Sequence, residues 1–376
     1  MVNTSTNALG VIFPNSYDSM IPQLVTQRAM ASIPFACRYR MVDFILSSMT
    51  NSGIDNVSLV VKRNYHSLMD HLGSGREWDL ARKRGGLNLM PPYAEAGIKR
   101  FHGRVEALAT ILDYLKDQRQ KYVILADANL AMQFDFNKML EAHVESGADV
   151  TMAYQRAEIP TGLKGDNYTY TIKLDGNRVT ELLSNDYRPG VQNLSMNIYI
   201  MEREALIQMV QDATARGLAY FERDILARNL ELLNVQGYQF DGYVARISDM
   251  RSYFEENMRL LEGDNIDALF GTENTVHTKV RDDAPTRYAM DCKVRNSMVA
   301  DGCIIEGEVE NCVIFRGVTI RKGAKVKNCV IMQDSVIESD VEMENVITDK
   351  KVRITTGKRI IGDRNFPVYV GKDYIV

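Results

Sequence analysis

Between Ile314 and Met343 the chain repeats aliphatic residues at every sixth position. Val318, Ala324, Val330 and Val336 form one series, Ile314, Ile320 and Val326 a second, and Ile331, Ile337 and Met343 a third. Six is neither the 3.6-residue period of a helix nor the two-residue period of a flat strand. It is the period of a hexapeptide β-helix, whose short strands form the sides of a triangular coil with one aliphatic residue per side pointing inward. Gly302, Gly307, Gly317 and Gly323 suit the corners, where a missing Cβ relieves crowding. A single coil cannot bury its own axis, so residues 291–376 are expected to stack as one left-handed parallel β-helix.

The first 240 residues follow another pattern. Ala8 to Phe13, Val57 to Lys62, Tyr122 to Ala126, Val150 to Arg156 and Asn197 to Met201 are short apolar runs suited to buried strands. Between them Leu108, Ile111, Leu112 and Leu115 recur at helical spacing. Alternation of this kind predicts an α/β domain over 1–240 with a mostly parallel, Rossmann-like sheet. Residues 241–290, with Phe254, Met258 and Leu261 at helical spacing, are then the linker and a bridging helix, bounded by a loop from Asp282 to Thr286.

The chain's 376 residues, 45% hydrophobic and 25% charged, suffice for two packed domains. A net charge of −4 gives no overall attraction to nucleic acid or to anionic membranes, and neither is expected as a partner. Met1 to Asn7 lacks the basic start and apolar stretch of a signal peptide, which predicts a cytoplasmic protein. The five cysteines are an odd set without a CxxC pair, against a disulfide framework or a zinc site. His66, His71, His102, His143 and His277 show no metal-binding spacing and read as structural, and Arg76, Arg82, Lys83 and Arg84 read as a solvated face or a subunit contact.

Three segments carry a more specific signal: Arg28-Ala29-Met30-Ala31-Ser32-Ile33-Pro34-Phe35, Tyr39-Arg40-Met41-Val42-Asp43-Phe44 and Asn51-Ser52-Gly53-Ile54. With Trp78-Asp79, Pro91-Pro92-Tyr93 and the run from Val326 to Ile337, the chain resembles the bacterial glucose-1-phosphate adenylyltransferases (ADP-glucose pyrophosphorylases). In detail it resembles their poorly catalytic, regulatory GlgD-type subunit. The resemblance implies a nucleotidyltransferase-like domain. In catalytic relatives glucose 1-phosphate attacks the α-phosphorus of ATP, with Mg²⁺ held by two aspartates. Such chemistry is positioning plus charge neutralisation, so a lost cation or metal ligand is costly.

Set against that pattern, the pocket positions of this chain are altered. The family's loop, leucine-alanine-glycine-glycine-x-glycine-threonine-arginine, falls on Phe13 to Met20, where Asn15, Ser16 and Asp18 stand at glycines and Met20 at the arginine. Met30 occupies the place of a phosphate-neutralising lysine. Asp127, at the end of Val123-Ile124-Leu125-Ala126-Asp127, keeps the first metal position, while Arg246 falls on the second. Asn185 stands where a lysine would meet the sugar phosphate, and the glycine-threonine-alanine-aspartate turn at the nucleotide appears as Gly103-Arg104-Val105-Glu106, with only the glycine retained.

These changes imply a pocket with no working catalytic, metal or cofactor site. Arg246 is expected beside Asp127, as a fixed cation in place of the metal. Arg38 and Arg40 match a basic stretch that contributes to effector binding in catalytic relatives, and are candidates either for a sugar-phosphate or nucleotide effector or for interdomain salt bridges. By resemblance the partner is the catalytic subunit, which carries the Mg²⁺ and ATP, in a heterotetramer; alone, the chain is expected to be a homo-oligomer. The alternative is an active nucleotidyltransferase with a divergent pocket. An acyltransferase is disfavoured because no repeat carries a histidine, and an exchange-factor subunit of translation initiation because Asn51 to Ile54 and Cys329 to Ile337 follow the adenylyltransferases.

Overall fold

The computed structural model describes residues 7–91, 103–159, 169–271 and 274–376. The Pro92-Tyr93 landmark and His102 lie outside them. The α/β domain is built on a nine-stranded sheet of β1 (Ala8–Phe13), β2 (Asn56–Val60), β3 (Gly86–Met90), β4 (Tyr122–Asp127), β5 (Val150–Glu158), β6 (Tyr170–Asp175), β7 (Arg178–Ser184), β8 (Val191–Glu202) and β9 (Val235–Gln239). Their order across the sheet is β3-β2-β1-β4-β8-β5-β9-β7-β6. The first four strands are mutually parallel; β8 enters antiparallel to both β4 and β5.

The central strands read as continuous apolar runs because both faces of the sheet are covered. In β1, Ala8 and Ile12 enter one core with Met49 and Trp78, whereas Leu9, Val11 and Phe13 enter the opposite core with Leu108 and Val210. The five strand-like runs of the sequence all lie in this sheet; β3, β6, β7 and β9 complete it from stretches with weaker apolar character. The expected helix through Leu108 and Leu115 is two short ones, Arg104–Ala109 and Leu112–Asp117, separated where the Thr110 hydroxyl bonds back to the Ala107 carbonyl at 2.7 Å.

Residues 241–290 do more than connect. Val244–Arg246 pairs antiparallel with Leu130–Met132, so this stretch is part of the α/β body. A helix follows over Met250–Arg259, started by a capping box between Asp249 and Ser252. The chain then runs along the helix Met41–Asn51, held where Thr278 donates to Asp43 at 2.6 Å and Asn51 donates to the Thr275 carbonyl at 2.9 Å.

From Arg287 onward short parallel strands stack in coils. The coil is 17 residues long through most of the solenoid, as in Glu308↔Lys325↔Glu342↔Arg359, and 15 at Lys293↔Glu308, rather than three full hexapeptides. That shortfall shifts one predicted series: Val318, Ala324 and Val330 are buried, but Val336 turns outward and Ser335 takes the interior place. The Ser335 hydroxyl bonds the Asp349 carbonyl at 3.1 Å and receives the Val352 N–H, which makes a polar interior position tolerable.

The solenoid packs on the α/β domain through a shared core that joins Phe35, Tyr253 and Phe254 to Phe315, Val330 and Met332. Arg28 crosses the junction to Asp349 with bonds of 2.7 and 3.0 Å. Among the described residues no helix is long and apolar enough to cross a membrane, and the five cysteines are free thiols.

Candidate functional site

The carboxyl end of β1 leads into the glycine-poor loop, and the loop's own side chains fill the space beneath it. Asn15 accepts the Lys62 N–H at 2.9 Å and donates to Asp18 at 2.7 Å, and Asp18, 4% exposed, accepts the Met30 N–H at 2.9 Å. A backbone N–H of the kind that binds phosphate is therefore taken by an internal carboxylate. Burial raises the Asp18 carboxyl above the ordinary aspartate range, against the pull of Asn15 and the Met30 N–H. Met30 is buried in the interdomain core and Met20 packs on that core's edge, so both methionines serve as apolar filler.

Asp127 ends β4 directly opposite Phe13 of β1. Both of its oxygens are engaged: Oδ1 receives the Ser16 hydroxyl at 2.5 Å and an Arg104 N–H at 2.8 Å, and Oδ2 receives Asn197 Nδ2 at 3.0 Å. Asn197 reaches inward because β8 bulges between Ser195 and Tyr199, leaving Asn197 at φ 54. The same amide donates to the buried Tyr17 hydroxyl at 2.8 Å.

The cation beside Asp127 is Arg104, not Arg246. Arg104 starts the short helix after Gly103, pairs with Asp127 and Glu222, and lies over the rings of Phe13 (4.8 Å) and Tyr199 (5.3 Å). Burial opposes its charge, but the two carboxylates outweigh that cost and hold the guanidinium above its ordinary range. Burial likewise pushes Tyr17 and Glu222 upward. Arg246 also lies inside the protein and feels the Asp127 charge, but its hydrogen bond goes to the Ser195 carbonyl at 2.9 Å, and burial lowers its affinity for a proton. The expected pairing gives way to Arg104, whose guanidinium donates to Asp127 while that of Arg246 donates to the Ser195 carbonyl.

These residues do not fit a divalent cation. Asp127 has both oxygens engaged by three donors, one of them cationic, and the cation Arg246 also stands within electrostatic reach, so a dication there would meet positive charge. Among the described residues, no three His, Cys, Asp or Glu side chains gather as a metal site. The retained Gly103 has a packing explanation: a Cβ there would stand 2.1 Å from the Ala219 carbonyl oxygen. Asn185 follows β7 in a left-handed conformation, with its N–H on the Thr169 carbonyl at 2.8 Å. Glu222, Asn197 and Tyr17 carry no sequence signal of their own. Arg104 does, because a new cation at a nucleotide-facing turn suits the one retained acidic position.

Arg38 and Arg40 belong to the hairpin that packs into the core shared with the solenoid, and they sit there in different ways. Arg40 is buried, bonded to Ser67 through its carbonyl (2.6 Å) and hydroxyl (2.8 Å), and burial lowers its pKa to about 10. Arg38 is exposed and adds its charge near Arg316 of the solenoid, a buried guanidinium whose Nε and Nη2 atoms make no hydrogen bond. Beside Arg40 lies Lys350, brought down to about 7 by burial and by the charges of Arg40 and Arg28, with Arg281 adding to the same effect.

Comparison with known proteins agrees with this arrangement along nearly the whole chain. Residues 23–262 match the nucleotidyl transferase family and residues 280–366 the GlmU-like, C-terminal hexapeptide family. The glycogen biosynthesis protein GlgD of Bacillus subtilis (strain 168) is 34% identical over 368 residues, covering 98% of this chain and 96% of the relative. This chain belongs to the GlgD and glucose-1-phosphate adenylyltransferase family. GlgD of Geobacillus stearothermophilus is 36% identical over 85% of this chain and 82% of its own length, and the family's glucose-1-phosphate adenylyltransferase of Bacillus cytotoxicus is 30% identical over 96% of both. Members named for the enzyme and members named GlgD thus share this framework with the chain.

Proposed function

We propose that this chain acts in bacterial glycogen biosynthesis as a regulatory subunit, with little or no adenylyltransferase activity of its own. The observation that carries the reading is the Arg104–Asp127–Glu222 cluster, a buried ion network where the family's chemistry needs an accessible metal carboxylate. The altered positions Met20, Met30, Asn185 and Arg246 support it. Catalysis, with Mg²⁺ and ATP, belongs to a glucose-1-phosphate adenylyltransferase partner in a cytoplasmic heterotetramer, whose conformational balance this subunit biases through their shared interface. Arg38, Arg40, Lys350 and Arg281 form a cationic group at the junction of the two domains that would receive an anionic effector.

The test is steady-state ADP-glucose formation by this chain, by the catalytic subunit of the same organism, and by their equimolar mixture. The expected result is no turnover from this chain and a mixture whose rate or effector response differs from the catalytic subunit alone. Substantial metal-dependent turnover by this chain alone would instead favour an active enzyme with a divergent pocket, and a mixture identical to the catalytic subunit would end the regulatory reading.

A further inference from the structure

One face of the solenoid carries a charge pattern that the coil geometry alone does not require. On its first coil Lys293 and Arg295 point outward on either side of Val294; on the second, Glu308 and Glu310 flank buried Val309. The third coil presents Lys325 and Lys327 around Val326, and the fourth Glu342 and Glu344 around Met343. These residues stack in register, so each coil is uniformly one sign and the sign reverses at every step. Between the two charged columns runs a trough of about 280 Å³.

Alternation along a stack can be satisfied within the chain, and the first column does so in part, through Lys293–Glu308 at 2.8 Å and Glu342–Arg359 at 3.0 Å. The second column does not: Arg295, Glu310, Lys327 and Glu344 form no ion pair among the described residues, although neighbours of opposite sign are one coil away. Its charges are left for something outside the chain.

We infer that this face is a docking surface for a second copy of the same chain, with the two solenoids antiparallel. A two-fold axis along the strand direction, placed between the second and third coils, sets coil two against coil three of the other copy and coil one against coil four. Every facing pair is then of opposite sign: Glu308 and Glu310 meet Lys325 and Lys327, and Lys293 and Arg295 meet Glu342 and Glu344. A two-fold axis along the solenoid would place each coil on itself and oppose like charges throughout. The pattern therefore selects the antiparallel orientation, and the register centred between coils two and three is the one that engages all four doubly charged coils. Four coils spaced about 4.8 Å apart make a strip roughly 14 Å long, well short of the ~800 Å² per partner of a stable interface. The contact on its own is weak and salt-sensitive, and it sets orientation within a larger assembly.

Charge exchange tests this by sedimentation of the full chain at low and high salt. The E308K/E310K variant faces itself with positive charge at the central coils, and the K325E/K327E variant with negative charge, so each should self-associate at least about tenfold more weakly than the wild type. Their equimolar mixture is complementary at every facing coil and should regain wild-type association, to be weakened again by salt at about 0.5 M. Mixing leaves the contacts inside each chain unchanged, so recovery reports only the contact between chains. Should a reversal variant not fold, E308Q/E310Q and K325Q/K327Q remove the attraction without repulsion and should each weaken self-association. A wild type that does not self-associate, variants that associate as it does, or a mixture of folded variants that fails to recover would each overturn the inference.

Discussion

At the scale of single residues, the site is governed by how its charges are paired. Replacing Arg104 by methionine leaves Asp127 and Glu222 buried without a cation, which should cost about 3–5 kcal/mol in urea unfolding. The R104M/D127N/E222Q variant removes the stranded charges and should regain most of that loss; an R104M protein within ~1 kcal/mol of wild type would show that the cluster is not an ion network. Lys350 makes a second prediction, with a definite sign. Its pKa in the folded protein is about 7 against 10.5 ordinarily, so the unfolded chain binds the additional proton between those values, and this residue's contribution to stability falls as pH drops from 10.5 towards 7 and is constant below. An anion beside Lys350 favours the protonated form. Sulfate, whose charge is constant in this range, should bind severalfold more tightly at pH 6 than at pH 8 by calorimetry, and Lys350→Met should flatten that dependence. At this scale the sequence singles out Asp18, Met20, Met30 and Asp127, and the structure places Asp18 and Asp127 in buried hydrogen-bond networks and the two methionines at the interdomain core. The places of Asn197 and Glu222 in the cluster are not legible there, because a strand bulge and a distant turn bring them to Asp127 and Arg104 across 70 and 118 positions of sequence.

At the scale of elements, strain and period decide what the sequence could reveal. The hairpin of Pro34–Phe35 with Tyr39–Arg40 turns through Ala36 at φ 49 and Cys37 at φ 67, two consecutive left-handed residues of which neither is glycine. Its tip is held by the Ala36 N–H on Asn257 at 3.4 Å, the Tyr253 hydroxyl on the Pro34 carbonyl at 2.8 Å, and stacking of Tyr39 on Phe270. Left-handed geometry costs a residue with a Cβ about 1–2 kcal/mol, and glycine returns roughly half of that gain as unfolded-state entropy. Ala36→Gly relieves that strain but also removes a methyl buried in the interdomain core, worth about 0.8 kcal/mol, so stability should change by no more than about 0.5 kcal/mol, measured by denaturant midpoint. In the solenoid, Ser335→Ala should lower stability by about 1–3 kcal/mol, because the Val352 N–H and the Asp349 carbonyl lose their buried partner. The aliphatic period identifies the β-helix, but a count of six does not locate the 17-residue coil, whose shortened corner moves Val336 out and Ser335 in. Strands β6, β7 and β9 were illegible for a different reason: they lie toward the edge of the sheet and are only partly buried, so they lack the continuous apolar signature of β1 and β4.

At the scale of the whole molecule, the two domains are coupled through a buried ion pair set in an apolar junction. Asp349 receives Arg28 from the α/β domain, the Tyr369 hydroxyl at 2.9 Å and the Lys350 N–H at 2.7 Å within the solenoid, so one carboxylate joins both bodies. Arg28 follows the glycine-poor loop closely in sequence, while the Met30 N–H in the same segment is held by Asp18 of that loop. Loop, interdomain tie and Lys350 are therefore one connected structure, which gives an anion at Lys350 a physical route to the loop around Asp18. Removing the tie should separate the domains thermodynamically rather than simply destabilise both. Arg28→Ala leaves Asp349 buried without its cation, at a cost of about 3–5 kcal/mol placed at the junction. The wild type should unfold in a single calorimetric transition, and R28A in two, with the α/β domain melting first because the closed ladder of the solenoid depends chiefly on its neighbouring coils. Sulfate should raise the first transition of the wild type and lose that effect in R28A, since Lys350 of the solenoid and Arg40 of the α/β domain are held near each other only while the junction is closed. One undivided transition in R28A, shifted by sulfate as in the wild type, would mean that the apolar junction alone couples the domains and that Arg28 is no part of the route.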